Sequence, residues 1–193
     1  MTRWWWVRHA PTHARAAVGR TDAPADLSDG AALARLAAAL PFAPVVSSDL
    51  SRARATADRL TGARPRLPDA PALRELDFGD WEGLSFDAAR ARDPAAYAAF
   101  WADPGPARAP GGEGFDDLRA RVAGFVAAVN AAPPGPDLIA VAHAGTIRAA
   151  LALGLGLSAR QALGFVIDPL SVTRLTWLPD AGAWSADWVN RTP

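Results

Sequence analysis

Two stretches of this chain share one form, an apolar run of strand-forming residues that stops at a histidine. The first contains Trp4, Trp5, Trp6 and Val7, ends on Arg8-His9 and is broken by Pro11; the second spans residues 137–143 and ends on His143. Continuous apolar runs are typical of strands buried on both faces of a sheet. In open α/β sheets, ligands bind where such strands end. We therefore expect an α/β fold with both histidines at a ligand-binding edge.

The composition fits one globular domain and excludes several kinds of chemistry. The chain has 193 residues, with twenty basic and twenty acidic side chains, so no net charge recruits nucleic acid. All basic residues are arginine, which excludes a lysine Schiff base and a P-loop lysine. Cysteine is absent, which excludes disulfides, thiolate nucleophiles and cysteine zinc sites. Any anion-binding site must therefore be local.

The sequence predicts a cytoplasmic protein without a membrane partner. The apolar start is too short for a signal peptide and runs directly into Arg8. The longest apolar stretch, residues 138–157, contains His143, Arg148 and several glycines, which argues against a membrane span.

Periodicity and turn residues predict the remaining elements. A polar loop over residues 14–29 precedes a helix that Ser28 or Asp29 caps, and Thr146 is expected to cap a helix over 147–155. Pro179 to Gly182 indicates a hairpin that closes the sheet edge. The other predictions are strands at 44–48, before Leu73 and at 137–142, helices at 49–60, 86–103 and 115–130, and a proline- and glycine-rich loop at 104–114.

Side chains suited to phosphoryl transfer occur at several of these boundaries. Arg8 offers a planar fork for phosphate oxygens, and Arg52 lies in the first turn of a helix, where anions are favoured. Arg54 is two residues further and is expected on the surface. His9 and His143 can act as nucleophile, base or donor, and an acid such as Glu75, if pressed into an apolar site, can protonate a leaving group. The set contains the groups that phosphoryl transfer requires.

Two metal sites are competing interpretations. Four acids between Glu75 and Glu82 could form a calcium or magnesium loop, although the spacing of a calcium loop is missing. His9, His13 and His143 could bind zinc, although Pro11 prevents a regular helix between the first two, and Arg8 would repel the cation. We expect no metal and no cofactor.

Four motifs in order resemble the histidine phosphatase superfamily, the superfamily of cofactor-dependent phosphoglycerate mutase. They are VRHAPT (7–12), SSDLSRA (47–53), LRELDFGDWEG (73–83) and VAHAG (141–145), and they extend over nearly the whole chain. The chain departs from the family at Ala10 and Ala144, where glycine is frequent. The resemblance implies a three-layer α/β sandwich with a mostly parallel central sheet, helices on both faces and a small helical cap insertion at about 81–131 of a single domain, 1–193.

The resemblance also implies roles for individual residues. His9 would be the nucleophile, Arg8, Arg52 and His143 would bind the phosphoryl group, and Glu75 would protonate the leaving oxygen and then activate water. Thr12, Glu82 and Ala144 are further candidates for substrate binding.

The implied activity is metal-independent hydrolysis of a small phosphorylated metabolite, with alpha-ribazole 5'-phosphate as one candidate. The motifs are similar to the branch of alpha-ribazole phosphatases and broad-specificity phosphatases. The cap, through Tyr97, Phe100, Trp101 and Arg108, is expected to select the leaving group. Phosphoglycerate mutase-type transfer and a non-catalytic phosphate-binding protein stay open as alternatives, as does a homodimer.

Overall fold

The protein is an α/β sandwich with helices on both faces of one five-stranded sheet. A computed structural model describes residues 1–14 and 16–193; residue 15, within the loop predicted over 14–29, lies outside the described residues. Over the described residues the elements in chain order are β1 (Thr2–Arg8), α1 (Gly30–Ala39), β2 (Val45–Ser47), α2 (Ser51–Thr61), α3 (Phe86–Arg92), α4 (Pro94–Ala102), α5 (Phe115–Ala131), β3 (Asp137–Ala142), α6 (Ala144–Leu155), α7 (Ala159–Leu163), β4 (Val172–Leu178) and β5 (Ala183–Arg191).

The sheet is mixed, with strand order β2-β3-β1-β4-β5. β3 pairs in parallel with β1 and with β2, whereas β4 pairs antiparallel with β1 and with β5. The prediction of a mostly parallel sheet is therefore wrong, because half of the pairings are antiparallel. The prediction of a hairpin at the sheet edge is confirmed, since β4 and β5 are joined through the tight turn at Pro179–Ala181.

Two apolar clusters bury the two faces of the sheet. On one face, Leu33 and Leu36 of α1 and Leu60 of α2 pack with Val45 and Val141. On the other face, α5 and α6 pack over β1 and β3. The buried residues of the cluster on this face include Trp4, Leu118, Val122, Leu138 and Ile147. The apolar runs that predicted buried strands thus correspond to strands covered on both sides.

Several predicted boundaries differ from the structure. Helix 86–103 is two helices, because Asp93 caps α4 through its side chain and Pro94 occupies the first helical position. The strand expected before Leu73 is irregular chain, with one bridge between Val45 and Arg66. Helix α6 begins at Ala144, before the predicted start, and Thr146 lies inside it with its hydroxyl donating to the carbonyls of Leu73 and Arg74.

The predicted cap insertion comprises α3, α4, the loop to residue 114 and α5. Of these, α5 packs against α6 and the sheet as part of the main sandwich. Whether residues 81–131 act as a cap stays a prediction. Among the helices of the described residues, none combines the length and the apolar character that crossing a membrane requires.

Candidate functional site

The sheet register brings the two strand-end histidines together. Arg8 is the partner of Ala142 in the parallel pair β1–β3, so the next residue of each strand, His9 or His143, emerges at the same edge. The His9 backbone N–H donates to the Ala142 carbonyl at 3.0 Å, and the two imidazole rings lie 5.0 Å apart between centroids. Both side chains are buried, at 6% and 0% exposure. The two histidines thus share one edge of the sheet, as expected, and ligand binding at that edge stays a prediction.

His9 is held in one orientation and kept neutral. Its Nδ1 lies 2.6 Å from the Ala10 carbonyl oxygen, which can only accept, so Nδ1 carries the proton and Nε2 keeps its lone pair. Burial and, to a smaller extent, the charges of Arg52 and Arg8 lower the pKa of His9, the Ala10 hydrogen bond opposes them, and the resulting pKa is about 3. A neutral imidazole with a free Nε2 is a competent nucleophile.

His143 is positioned by two neighbours. Arg52 Nε donates to His143 Nδ1 at 3.2 Å, so Nδ1 is the acceptor and Nε2 carries the proton. That Nε2–H faces Ser48 Oγ at 2.9 Å. Burial lowers the pKa of His143 well below its ordinary value, and the positive charge of Arg52 acts in the same direction. His143 is thus a neutral hydrogen-bonding group whose proton position is set by Arg52 and Ser48.

Two arginines supply positive charge beside the histidines. Arg52, in the first turn of α2, is 1% exposed and donates to the carbonyls of Thr21 at 2.8 Å and Gly19 at 2.7 Å. Arg8 donates through Nη1 to the Ile167 carbonyl at 2.6 Å, and its buried Nε has no partner among the described residues. Burial lowers the pKa of both guanidinium groups, and the nearby Glu75 carboxylate opposes this. Buried guanidinium groups of this kind are well suited to bind a phosphoryl group.

Glu75 lies against the N-terminus of α6. Its Oε2 accepts from the Gly145 N–H at 3.0 Å, and Oε1 accepts from the Leu76 N–H at 2.8 Å. A Cβ atom at position 145 would lie 2.1 Å from Glu75 Oε1, so glycine is required for this approach. Glu75 also acts on Arg148 of α6. Burial lowers the pKa of Arg148, and the charge of Glu75 raises it. The carboxyl group predicted as the acid therefore lies beside the arginines of the site.

A network that was not predicted from the sequence holds the backbone of Glu75. Arg121 Nη2 donates to the Glu75 carbonyl at 2.8 Å, and Arg20 Nε reaches the same oxygen at 3.3 Å. Glu113 pairs with both arginines and also accepts from the Asp77 N–H at 3.1 Å. No periodic or motif signal in the sequence marks these residues, because Arg20 is more than ninety residues from Glu113 and Arg121.

Glu82 fixes the loop that contacts Arg52. Its carboxylate accepts from the N–H groups of Gly19, Arg20, Thr21 and Phe78 and from the Thr21 hydroxyl. Through these contacts Glu82 anchors the loop at residues 19–21. Direct substrate binding by Glu82 stays a prediction.

The other two predicted substrate-binding residues lie close to the histidines. Thr12 is half-buried in the loop after His9, and Ala144 is the first residue of α6 after His143. Their contacts with a substrate stay predictions. Thr56 ties the His9 loop to α2, since its Oγ1 accepts from the Ala10 N–H and donates to the Arg52 carbonyl. Arg54 pairs on the surface with Asp69, as expected.

The acidic segment and the third histidine have other partners. Asp77 Oδ1 accepts from the Gly79 N–H at 2.9 Å, and His13, with a side chain 71% exposed, pairs with Asp26. Within residues 1–14 and 16–193, no three histidine or acidic side chains form a group that could hold a metal ion.

Comparisons with known proteins agree with this geometry. A family model described as the histidine phosphatase superfamily (branch 1) matches residues 4–192. A bifunctional protein of Mycobacterium tuberculosis is 36% identical over 166 residues, which are 84% of this chain and 44% of the relative. The chain thus spans less than half the length of that protein.

Two further matches cover nearly all of both chains. The adenosylcobalamin/alpha-ribazole phosphatase of Salmonella typhimurium is 31% identical over 192 residues, covering 95% of this chain and 89% of the relative. The structure of a mycobacterial glucosyl-3-phosphoglycerate phosphatase with inorganic phosphate superposes with a TM-score of 0.85 at 28% identity, covering 100% of this chain and 98% of the other. The protein therefore belongs to branch 1 of the histidine phosphatase superfamily.

Proposed function

We propose that this protein is a phosphatase that hydrolyses phosphate monoesters, without a metal ion, through a phosphohistidine at His9. One observation carries the proposal. His9 is buried and neutral, its Nδ1–H is fixed on the Ala10 carbonyl, its Nε2 has no hydrogen-bond partner among the described residues, and the charges of Arg52 and Arg8 act on it. A nucleophile surrounded by cationic donors is the arrangement that phosphoryl transfer requires.

In the first step, the lone pair of His9 Nε2 attacks the phosphorus in line with the leaving oxygen. The P–N bond forms as the P–O bond breaks, and the protonated Glu75 carboxyl gives its proton to the departing alcohol. Arg8 and Arg52 balance the charge on the transferring oxygens, and His143, which is hydrogen-bonded to Arg52 and Ser48, keeps the Arg52 guanidinium in position. Hydrogen bonding to Gly145 and the network around Arg121 keep Glu75 in position.

In the second step, water takes the place of the alcohol. The Glu75 carboxylate removes a proton from the water as its oxygen attacks the phosphorus, and the P–N bond breaks. Inorganic phosphate leaves, His9 returns to its neutral form, and Glu75 is again protonated for the next cycle. The two arginines make the same contacts in both steps.

The proposed substrates are small phosphorylated metabolites. One relative is named an alpha-ribazole phosphatase and another a glucosyl-3-phosphoglycerate phosphatase, so the phosphate esters for which they are named differ in the alcohol. Alpha-ribazole 5'-phosphate is therefore one candidate within a wider class.

The proposal is tested by phosphate release from a panel of monoesters in the presence of EDTA. We expect turnover by the intact protein and a loss of at least about a thousandfold in His9→Ala, because removal of a nucleophile removes the covalent route. The matched control is His13→Ala, which removes an exposed imidazole that faces Asp26 and should leave turnover unchanged. Turnover retained in a folded His9→Ala variant would overturn the mechanism. Interconversion of phosphoglycerates without net release would instead favour a mutase.

A further inference from the structure

An apolar pocket of about 110 Å³ extends from the proposed acid, Glu75, into the helices of the insertion. Glu75 and Gly145 form part of its wall, so whatever occupies the pocket lies next to the group that protonates the leaving oxygen. The pocket therefore receives the alcohol part of a substrate. Its remaining walls are mostly aromatic, and they include Phe78, Phe86, Phe100, Trp101 and Phe115.

The size of the pocket suits one ring. An engineered apolar cavity of about 150 Å³ binds benzene. This pocket, of about 110 Å³, is smaller but partly open, so a single ring can enter it with part of its edge outside. The aromatic walls are already packed edge to face. Trp101 meets Phe86 at 6.0 Å and 73° and Phe100 at 5.1 Å and 90°. A further ring can join such a cluster with its edge on a neighbouring face.

Two of these aromatic side chains are exposed to solvent. Phe86 is 47% exposed and Trp101 is 38% exposed, although they contact each other beside the pocket. Neighbouring large apolar side chains that stay exposed at a concave site mark a surface that a ligand covers.

The lining of the pocket favours an apolar occupant. Arg148 lies in the wall, and its Nε donates to the Phe165 carbonyl at 2.9 Å. Apart from Arg148 and Glu75, the lining residues are apolar. A polyhydroxylated sugar would lose its hydration here with few partners in return.

We propose that the preferred substrates are phosphate monoesters of uncharged alcohols that carry an aromatic ring, and that this ring packs on Phe86 and Trp101. This inference rests on the proposed phosphatase function, because it identifies the pocket as the site of the leaving group.

The first test compares phenethyl phosphate with propyl phosphate. Both are esters of primary alkyl alcohols, so a difference in kcat/KM reports binding of the ring more than the leaving ability of the oxygen. We expect kcat/KM to be higher for phenethyl phosphate by about tenfold or more, since even one methylene in an apolar pocket is worth about tenfold. O-phosphoserine, with a charged leaving group, should be hydrolysed no faster than propyl phosphate.

The second test uses Trp101→Ala, with Phe42→Ala as the matched control. Phe42 is an aromatic residue 76% exposed in the segment between α1 and β2, away from the pocket. Trp101→Ala should reduce kcat/KM for phenethyl phosphate about fivefold more than for propyl phosphate, since aromatic pairs contribute about 0.5–1.5 kcal/mol. Phe42→Ala should change neither value.

The outcomes separate the inference from the function on which it rests. Hydrolysis of all esters without a preference for the ring, or a preference for O-phosphoserine, overturns the inference and leaves the phosphatase function standing. An equal loss on both alkyl esters in folded Trp101→Ala also overturns it. Phosphate release from none of the esters overturns the proposed function, and the inference fails with it.

Discussion

Glu82→Gln tests whether one carboxylate holds the loop that contacts Arg52. Oε1 of Glu82 accepts from the N–H groups of Arg20 at 2.7 Å and Phe78 at 3.1 Å. Oε2 accepts from Gly19, from the Thr21 N–H and from the Thr21 hydroxyl. A glutamine keeps the shape of the side chain, but it replaces one oxygen by an NH₂ group that can only donate.

The expected loss of stability follows from the number of hydrogen bonds that lose their acceptor. With the amide nitrogen in the position of Oε1, at least two backbone N–H groups lose their acceptor, and the remaining contacts lose the charge. Hydrogen bonds to charged groups contribute about 1.5–3 kcal/mol each, and the partial exposure of this loop reduces the cost. We expect the free energy of unfolding to fall by about 2–4 kcal/mol. For a chain of this size, that lowers Tm by about 4–16 °C.

The effect should depend on pH with a definite sign. Burial raises the pKa of Glu82, but the hydrogen bonds from the Thr21 hydroxyl and from the N–H groups of Arg20, Thr21 and Phe78 together lower it below its ordinary value. A carboxyl group whose pKa is lowered by folding stabilises the protein above its unfolded pKa, about 4.3, and this contribution disappears as pH falls through the folded pKa. The difference in the free energy of unfolding between wild type and Glu82→Gln should therefore be largest at neutral pH and should shrink below about pH 4.3.

Urea unfolding of both proteins from pH 7 down to pH 3 measures this difference. Asp180→Asn is the matched control, because it makes the same acid-to-amide change at an exposed turn. A loss in Glu82→Gln no larger than in the control, or a difference that grows toward low pH, would refute the anchoring role.

Three further substitutions test the positions of Glu75 and His143. Gly145→Ala places a Cβ 2.1 Å from Glu75 Oε1 and should displace the carboxyl group. We expect steady-state kinetics to show a fall in kcat of about tenfold to a hundredfold in a protein that stays folded. An unchanged kcat would contradict the close approach. Arg121→Lys loses the planar fork that reaches the Glu75 carbonyl, and we expect about 2–4 kcal/mol lower stability in urea together with a fall in kcat larger than any change in KM. Ser48→Ala leaves the buried Nε2–H of His143 without its acceptor, which should cost about 1–3 kcal/mol on unfolding; a neutral result would show that another acceptor replaces it.

The strands that carry the site could be predicted from the sequence, but their pairing could not. Buried apolar runs such as residues 137–142 look alike whether the neighbouring strand is parallel or antiparallel, because both arrangements cover the same faces. The antiparallel placement of β4 beside β1 depends on tertiary contacts, so the sequence offered no correction to the mostly parallel sheet that the family resemblance implied. The division of helix 86–103 was predictable, since Asp93-Pro94 is a cap followed by a proline at the first helical position.

The residues of the site also fall into those that could be predicted from the sequence and those that could not. His9, His143 and Arg52 were predictable because each lies where a strand ends or a helix begins, and such positions meet at one edge of a sheet. The support around Glu75 was not, because Arg20, Glu113 and Arg121 converge only when the chain is folded. Single arginines and acids on loops or helices carry no periodic signal that distinguishes a buried network from a solvated surface.

The most direct measurement is to trap the phosphorylated protein. Wild type mixed with substrate and quenched rapidly in base, in which phosphohistidine survives, is digested and analysed by mass spectrometry. The account predicts one phosphoryl group on the peptide that contains His9, bound at Nε2 because Nδ1 is held on the Ala10 carbonyl, and none in His9→Ala. A phosphoryl group on His13 or His143, or rapid hydrolysis with no phosphoenzyme at any quench time, would contradict the central role of His9.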